Sequence, residues 1–345
     1  MTSLRPGEAT TDRPNRAPPC RLCGGHRFDP ARRTGHADRL TAPGAFVIVR
    51  CRGCGLMRTE PWPAGRSRGF HRRGAQLPER HPPVRGTPRH TGGPGDRQAG
   101  GPGERACRAP VWRLVRAAAW APYRLRYGPA DALPSPRPGA GRALDIGCGR
   151  GVLLARLRAM GWDVWGIEPD AEAAAAAERA VGLPGRIARC PAEEATYPPA
   201  FFHLVTLTHS LEHLDEPLAV LTRVRRWLRP DGVLRVRVPD IGSAEARLFG
   251  HLWHGLDVPR HRHHFTASTL TLLLARAGFV VHRRVPEAQA ALLAGSLATL
   301  VQVVSGRRLP PRAARALYLL TVPVAAGLAA FGIGGSIDVT AVPRS

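Results

Sequence analysis

The hydrophobic positions between residues 142 and 284 alternate between short apolar runs and amphipathic segments. Strands that alternate with helices in this way predict a parallel sheet with helices on both faces. Such a sheet binds its ligands beyond the carboxyl ends of the strands. The pattern predicts strands at 142–147, 163–168, 185–190, 203–208, 233–239 and 279–284, and helices at 151–160, 170–181, 216–228 and 268–277.

Three further segments flank or interrupt this pattern. Residues 111–127 read as an amphipathic helix that leads into the domain, and residues 337–342 as a last strand. Residues 287–335 form a very apolar insertion, whose second half approaches the roughly 20 residues of a membrane span. A single crossing is excluded if the last strand rejoins the sheet. We interpret the insertion as a helical lid over the active site, with a hairpin in peripheral contact with a membrane surface as the alternative.

The segment 61–110 consists mainly of Arg, Gly, Pro and His. It has too little apolar surface to offset the entropy cost of ordering, so we predict a disordered linker. A basic tail that binds nucleic acid is the alternative. It has little support, because Trp62 and Phe70 are the only aromatic residues available for stacking.

The net charge of +24 over 345 residues would ordinarily suggest a nucleic-acid partner. However, all 50 basic residues are arginines, and Asn15 is the only asparagine. A bias this uniform reflects the base composition of the coding DNA, so nucleic acid is not expected as a partner. The first 19 residues lack the apolar core of a signal peptide, and we therefore expect a cytoplasmic protein.

Four of the seven cysteines form two Cys-x2-Cys-Gly knuckles, namely Cys20 with Cys23 and Cys51 with Cys54. Two residues between thiolates allow both to reach one tetrahedral ion, and the glycine relieves the tight turn. We predict a small zinc ribbon within residues 1–60, with redox pairs or unligated thiols as alternatives. Four thiolates leave no open position for water, so this zinc would be structural.

A glycine-rich turn follows the predicted strand 142–147. Asp145 precedes Gly147, Gly149 and Gly151, and Glu168 follows Asp145 by 23 residues at the end of the next strand. The glycines let a small molecule lie against the backbone, and the N-terminus of the next helix points at it. Glu168 can accept hydrogen bonds from ribose hydroxyls. The spacing G-x-G-x-G differs from the dinucleotide pattern G-x-G-x-x-G, which makes hydride chemistry the weaker interpretation.

The segments LDIGCGRG, GIEPD at 166–170 and FHLVTLTHSLEHLDEP at 202–217 together resemble the class I S-adenosylmethionine-dependent methyltransferases. The resemblance implies an α/β, doubly wound, Rossmann-like sheet that is mostly parallel and ends in an antiparallel hairpin. It places the methyltransferase domain at 111–286, the insertion at 287–335 inside that hairpin, and the final strand in 336–345.

The resemblance also implies roles in binding S-adenosylmethionine. Asp145 and the turn would hold the methionine part, Glu168 the ribose, and Ala192 with Glu193 the adenine. Two positions depart from the family pattern, because Pro191 replaces an Asp that reaches the adenine in many relatives and His203 replaces the Asp of an F-D-L-V strand. The residues assigned to the turn are Asp145, Gly147, Cys148, Gly149 and Gly151.

Two histidine-rich segments indicate the methyl-acceptor side. The segment 209–213, HSLEH, matches the pattern of inverted zinc proteases but begins at a strand end, so we assign it to the substrate mouth. His213 is our candidate general base, with Glu212 beside it. One alternative is a divalent metal held by His209, Glu212 and His213. Another is that Glu212 and His213 cap the next helix and shape the pocket.

The second segment is LDVPRHRHHF at 256–265, where His261 and His264 are candidates for contact with the acceptor. A hydrogen-bonded histidine in the pocket wall is the alternative for each of them. The sequence thus predicts a methyltransferase of a small molecule, such as a sugar, a secondary metabolite or a lipid-linked precursor. A nucleic-acid methyltransferase and a non-catalytic zinc-binding interaction protein are the competing hypotheses.

Overall fold

The computed structural model describes residues 18–33, 46–61, 121, 133–134, 136, 141–287 and 289–345. The predicted helix at 111–127 and the predicted linker at 61–110 lie outside the described residues, apart from Ala121 and Pro61.

Within the described residues the chain forms eleven strands and seven α-helices. The strands are β1 (Phe28–Arg33), β2 (Val47–Cys51), β3 (Met57–Glu60), β4 (Arg142–Ile146), β5 (Asp163–Ile167), β6 (Ile187–Ala188), β7 (Phe202–Thr208), β8 (Leu228–Pro239), β9 (His263–His264), β10 (Phe279–Glu287) and β11 (Ser336–Pro343). The helices are α1 (Val152–Ala159), α2 (Ala171–Val181), α3 (Pro217–Trp227), α4 (Ala244–Phe249), α5 (Ala267–Arg276), α6 (Ala290–Ser305) and α7 (Pro311–Ala330).

The larger sheet has seven strands in the order β10-β11-β8-β7-β4-β5-β6. Strands β4 to β8 pair in parallel, whereas β11 is antiparallel to both of its neighbours. The carboxyl ends of β4, β5, β7 and β8 therefore share one edge of the sheet. This topology confirms the predicted Rossmann-like α/β fold with a terminal antiparallel hairpin.

Helices cover both faces of this sheet. Successive side chains of a strand point to opposite faces, and Ala143 and Leu144 accordingly lie in different buried clusters. The Ala143 cluster contains Leu154 of α1, and the Leu144 cluster contains Leu221 of α3 and Leu273 of α5. Each fully buried leucine contributes about 1.5–3 kcal/mol to folding relative to an exposed one. The two layers fix the strand ends that carry the site.

The N-terminal residues form a second, four-stranded antiparallel sheet in the order β1-β2-β3-β9. Its last strand, β9, belongs to the larger domain, and Arg58 pairs with His263 across the junction. The Arg276 side chain of α5 also donates a hydrogen bond to the carbonyl of Leu22. The cysteine-bearing segment is thus joined to the larger domain by a strand pairing.

Helices α6 and α7 lie between the antiparallel strands β10 and β11. Glu287 at the end of β10 pairs with Ser336 at the start of β11, so the chain leaves and re-enters the same sheet edge. Among the described residues, α7 is the one helix long and apolar enough to cross a membrane, and a third of its most apolar window is buried.

The predicted strand at 185–190 is shorter in the structure, where β6 covers only Ile187–Ala188. It is an edge strand whose one neighbour is β5. Gly185 before it has φ +76°, and Pro191 after it has no N–H to donate to a ladder. These two residues limit the pairing. The prediction for β8 was too short by five residues at its start.

Candidate active site

The turn after β4 has the backbone shape that its glycines allow. Gly147, Gly149 and Gly151 all have positive φ, at +73°, +53° and +80°. A Cβ on Gly147 would lie 2.6 Å from the Cβ of Ser210, and one on Gly151 would lie 2.8 Å from the Cα of Ala177. A Cβ on Gly149 would meet no atom within 4 Å. The first and third glycines therefore allow close packing, while the second borders open space.

Glu168 reaches across this turn from the end of β5. Its Oε2 accepts a hydrogen bond from the backbone N–H of Gly149 at 2.9 Å, and its Oε1 accepts one from Asp170 at 2.9 Å. The side chain is buried, with 8% of its surface exposed. The structure thus brings the predicted ribose acid directly onto the predicted cofactor turn.

Asp145 lies at the same edge of the sheet and is buried. Its Oδ1 accepts a hydrogen bond from the hydroxyl of Thr206 in β7 at 2.7 Å. Burial, together with the nearby charge of Glu168, raises the pKa of Asp145 to about 7, although the Thr206 hydrogen bond acts in the opposite direction. A buried carboxyl group whose ionisation a neighbouring carboxylate opposes makes this edge suitable for a cationic ligand.

The remaining residues predicted to bind the cofactor are Cys148, Ala192 and Glu193. Burial and the two nearby carboxylates raise the pKa of Cys148, so its thiol stays neutral and serves as packing. Ala192 is buried. Glu193 uses its Oε1 to accept a hydrogen bond from the backbone of Asp215 at 3.0 Å, which ties the segment after β6 to the loop after β7.

A second cluster forms where β7 ends, beside the glycine turn. Glu212 is 1% exposed, and neither of its carboxylate oxygens has a hydrogen-bond donor within the described residues. The Nδ1 of His209 lies 3.4 Å from Oε1, and the Nε2 of His261 lies 3.8 Å from it. Burial alone would raise the pKa of Glu212, but contact with His209 and the charges of His213 and His261 lower it overall.

The tautomers of two histidines follow from their carbonyl contacts. The Nδ1 of His213 lies 3.0 Å from the carbonyl of Arg260, and the Nδ1 of His261 lies 2.9 Å from that of Gly255. A carbonyl can only accept, so Nδ1 carries the proton in both rings and Nε2 carries the lone pair in the neutral form. Burial, with His261 nearby, lowers the pKa of His213, so this imidazole is neutral at pH 7.

His264 has a different environment from the other predicted acceptor contacts. Thr59 of β3 donates a hydrogen bond to the carbonyl of His261 at 2.8 Å, and its hydroxyl oxygen lies 2.9 Å from the Nε2 of His264. Because the hydroxyl proton is already used, His264 donates and Thr59 accepts. His264 is buried at this junction between the two sheets.

The segment 209–213 does not have the geometry of a zinc-protease helix. His209 ends the strand with φ +54°, and Leu211–His213 form a single 3₁₀ turn. Helix α3 begins later, at Pro217, and neither Glu212 nor His213 caps it. The protease and helix-cap interpretations are therefore both wrong.

Three contributors to the site escaped the sequence analysis. Thr206 gave a weak signal as a polar residue in an apolar strand, whereas Ser210 and Thr59 gave none. His203, noted as a departure from the family pattern, accepts a hydrogen bond from the backbone of Arg142 at 3.1 Å. It thereby links β7 to the start of β4, far from the carboxyl edge.

The four N-terminal cysteines converge in the structure. The sulfur of Cys20 lies 3.5 Å from that of Cys54, and the sulfur of Cys23 lies 3.4 Å from that of Cys51. One sulfur from each of the four lies within 4.8 Å of the others, and none of them is in a disulfide. The knuckle glycines have positive φ, +72° at Gly24 and +77° at Gly55, as a tight turn requires.

The chain is similar in sequence to known methyltransferases. Residues 113–283 match the family model described as a methyltransferase domain. The ubiquinone biosynthesis O-methyltransferase of Methylococcus capsulatus is 35% identical over 100 residues, which make up 28% of this chain and 42% of that enzyme. The enzyme of the same name from Rhodopseudomonas palustris is 34% identical over 98 residues, or 28% of this chain and 38% of its own length.

The chain thus spans about two fifths of the length of these curated relatives. A solved S-adenosylmethionine-dependent methyltransferase from Thermotoga maritima is 18% identical, and the alignment covers 68% of this chain and 94% of that one with a TM-score of 0.42. The prediction of a methyltransferase is confirmed at the level of the domain. Residues 113–283 of this chain carry a methyltransferase domain.

Proposed function

We propose that this protein transfers a methyl group from S-adenosylmethionine to a small-molecule acceptor. The observation that supports this most directly is the contact between two sites. Ser210, which follows His209 and precedes the turn that contains Glu212 and His213, lies against Gly147 of the glycine turn. A methyl donor on that turn and an acceptor beside the histidines would therefore meet.

The residues around the glycine turn fit this cofactor chemically. Asp145 and Glu168 offer carboxylates to the ammonium group and to the ribose hydroxyls, and Gly149 borders the open space that a nucleoside needs. S-adenosylmethionine, when bound, supplies an electrophilic methyl group on a positively charged sulfur. Binding a cation favours the ionised form of Asp145, whose ionisation Glu168 opposes in the ligand-free protein.

The chemistry that remains for the protein is to position the acceptor and to take its proton. The Nε2 of a neutral His213 is suited to this task, because its Nδ1–H is fixed on the carbonyl of Arg260. An acceptor hydroxyl fits such a base. The relatives named above as O-methyltransferases support an oxygen acceptor in a small molecule.

Two measurements test this proposal. Isothermal titration with S-adenosylhomocysteine is expected to give one site per chain, and no heat at millimolar ligand would contradict it. Radiolabelled donor, incubated with separated small-molecule, RNA and protein fractions of a cell extract, is expected to label the small-molecule fraction. Label only in RNA would favour a nucleic-acid methyltransferase, and no label in any fraction would favour a non-catalytic protein.

A divalent metal that orients the acceptor is a second candidate, supported by the buried carboxylate of Glu212, which lies within 3.8 Å of ring nitrogens of His209 and His261. One ligand atom each from Glu212, His213 and His261 lies within 4.8 Å of the others. This set differs from the predicted one, because His261 takes the place of His209. If the cluster binds a metal, we expect His261→Ala to lose one metal equivalent by elemental analysis while the metal at the four cysteines remains.

We further propose that the four cysteines hold a structural zinc ion. When four thiolates bind one zinc ion tetrahedrally at Zn–S distances of about 2.3 Å, any two of the sulfurs lie about 4 Å apart. The ribbon would then support the active site, because β3 pairs with β9 and Thr59 contacts the loop that carries His261.

This proposal gives a testable expectation for cysteine variants. The double variant Cys20→Ser and Cys54→Ser is expected to lose its zinc and to expose β1–β3 to proteases, because each of the two knuckles loses one of the thiolates that join it to the other. Activity is expected to fall at least tenfold, since Thr59 would no longer bind the carbonyl of His261 and the ring of His264. The control is Cys190→Ser, a partly buried cysteine outside the cluster. Full zinc content in the double variant would contradict the assignment.

A further inference from the structure

The hairpin formed by α6 and α7, residues 290–330, leaves much of its apolar surface uncovered. Its first part is anchored, since Ala290 and Leu293 pack against Val322 and Ala325. From Leu300 to Leu320 most side chains are exposed. Val304 is 79% exposed and Leu320 is 69% exposed, and Phe331 near the base is 78% exposed. Such a patch marks an interaction surface, because soluble monomers rarely keep one of this kind.

The charges of this hairpin are confined to its tip. Arg307 and Arg308 lie in the turn between the helices, and Arg312 and Arg315 lie in the first turns of α7, all four of them exposed. Residues 289–335 contain no Asp or Glu and no other Arg. The arginines of the hairpin are therefore clustered at its tip, whereas the rest of both helices is uncharged. The arginine bias of the whole chain does not explain this clustering.

The geometry excludes a transmembrane arrangement of the hairpin. The exposed part of α6 begins near Leu297, so about nine residues precede the turn, and they span only about 13 Å at 1.5 Å per residue. The hydrocarbon core of a bilayer is about 30 Å thick. A hairpin inserted upright would leave its arginines inside that core, whereas one lying along the surface keeps them at the headgroups.

We propose that the α6–α7 hairpin binds the surface of an anionic phospholipid bilayer. The exposed Val, Leu and Phe side chains enter the boundary between headgroups and acyl chains, and the four arginines pair with lipid phosphates. A second copy of the chain fits this surface less well, since each hairpin would bring the same four positive charges and no acidic residue to the contact.

Co-sedimentation of the full-length protein with vesicles tests this proposal without any methyl acceptor. Vesicles of 30% phosphatidylglycerol in phosphatidylcholine are expected to bind at least tenfold more tightly than vesicles of phosphatidylcholine alone, with affinity falling as salt rises. Equal binding to both vesicle types, or binding to neither, would overturn the proposal.

Matched variants identify the residues responsible. The double variant Arg312→Ser with Arg315→Ser is expected to weaken vesicle binding about thirtyfold. The control is Arg158→Ser with Arg179→Ser, two arginines that are also exposed on helices. It is expected to change vesicle binding less than threefold, because the position of the charges at the hairpin tip matters rather than the total charge. Val304→Ser with Leu320→Ser is expected to weaken binding at least tenfold, against little change for Val280→Ser on the edge strand β10.

The midpoint temperature of thermal unfolding is measured first for each variant. Only variants that match the wild type are compared, so that a loss of binding does not reflect a loss of folding. Sedimentation equilibrium provides the remaining outcome. A concentration-dependent dimer that Val304→Ser with Leu320→Ser abolishes would assign this surface to self-association and overturn the membrane proposal. Because neither readout involves methyl transfer, failure here leaves the proposed activity untouched.

Discussion

The substitution Asp145→Asn is expected to weaken binding of S-adenosylmethionine at least a hundredfold while making the folded protein more stable above pH 7. An asparagine retains the shape of Asp145 and can still accept the hydrogen bond from Thr206. It cannot supply the negative charge that a cationic ligand requires. Charge-assisted pairing lost in a buried site accounts for an effect of this size.

The expected gain in stability follows from the pKa of Asp145. Its folded value of about 7 lies above the ordinary 3.8, so the folded state holds the proton more tightly than the unfolded state. That contribution is fully present below pH 3.8 and is lost as the pH rises through 7. Asparagine removes this loss, which is at most about 4 kcal/mol at pH 8.

Isothermal titration and urea unfolding at pH 5 and pH 8 measure the two effects on the same protein. The matched control is Asp163→Asn, an acid at the opposite end of β5 that pairs with Arg186 at the surface. This control is expected to bind the cofactor normally and to show no pH-dependent gain. An Asp145→Asn protein with wild-type affinity would remove the main argument for the cofactor site.

The sheet and the glycine turn could be predicted because their signals are local. The turn requires glycine where a Cβ would collide with Ser210 or Ala177, and the carboxylate of Glu168 follows from the end of the next strand. Parallel strands bring those ends to one edge whatever the details of the loops. The positions of Asp145 and Glu168 therefore followed from pattern alone.

The acceptor side could be predicted only in part, because its contacts join segments that are distant in the chain. Thr59 meets the carbonyl of His261 across 202 positions, and nothing in either segment signals the pairing of β3 with β9. Along the sequence, His209 groups with Glu212 and His213 because the three lie within five residues. The structure places His261 beside Glu212 and His213, and it places His264 at the junction with the four-stranded sheet.

The N-terminal segment consequently contacts the part of the methyltransferase domain that carries the histidine cluster. The residues around β3 and β9 form one sheet, and Arg21 pairs with Glu216 at 2.7 Å just before α3. Both contacts border the loops that carry Glu212, His213 and His261. A metal that orders the cysteine knuckles would therefore also restrict the loops of the acceptor site, which connects the two parts of the chain physically.

The substitution His213→Ala is expected to lower kcat by about 10²–10⁴-fold while changing the affinity for S-adenosylhomocysteine less than threefold. A positioned general base contributes about that factor to proton transfer. The substitution leaves Asp145, Glu168 and the glycine turn in place, so binding of the donor is expected to persist. His282→Ala, an exposed histidine on β10, is the matched control and is expected to retain full activity.

The pH profile separates a base from a residue that only shapes the pocket. Burial, with His261 nearby, lowers the pKa of His213 below its ordinary 6.5. The wild-type rate is therefore expected to be flat above pH 7 and to fall in acid, below pH 6.5, as the ring gains a proton. In His213→Ala that acid limb is expected to disappear and the residual rate to rise with hydroxide concentration, because the acceptor must then lose its proton to solvent. An unchanged acid limb in the variant would assign the titration to another group and remove His213 as the base.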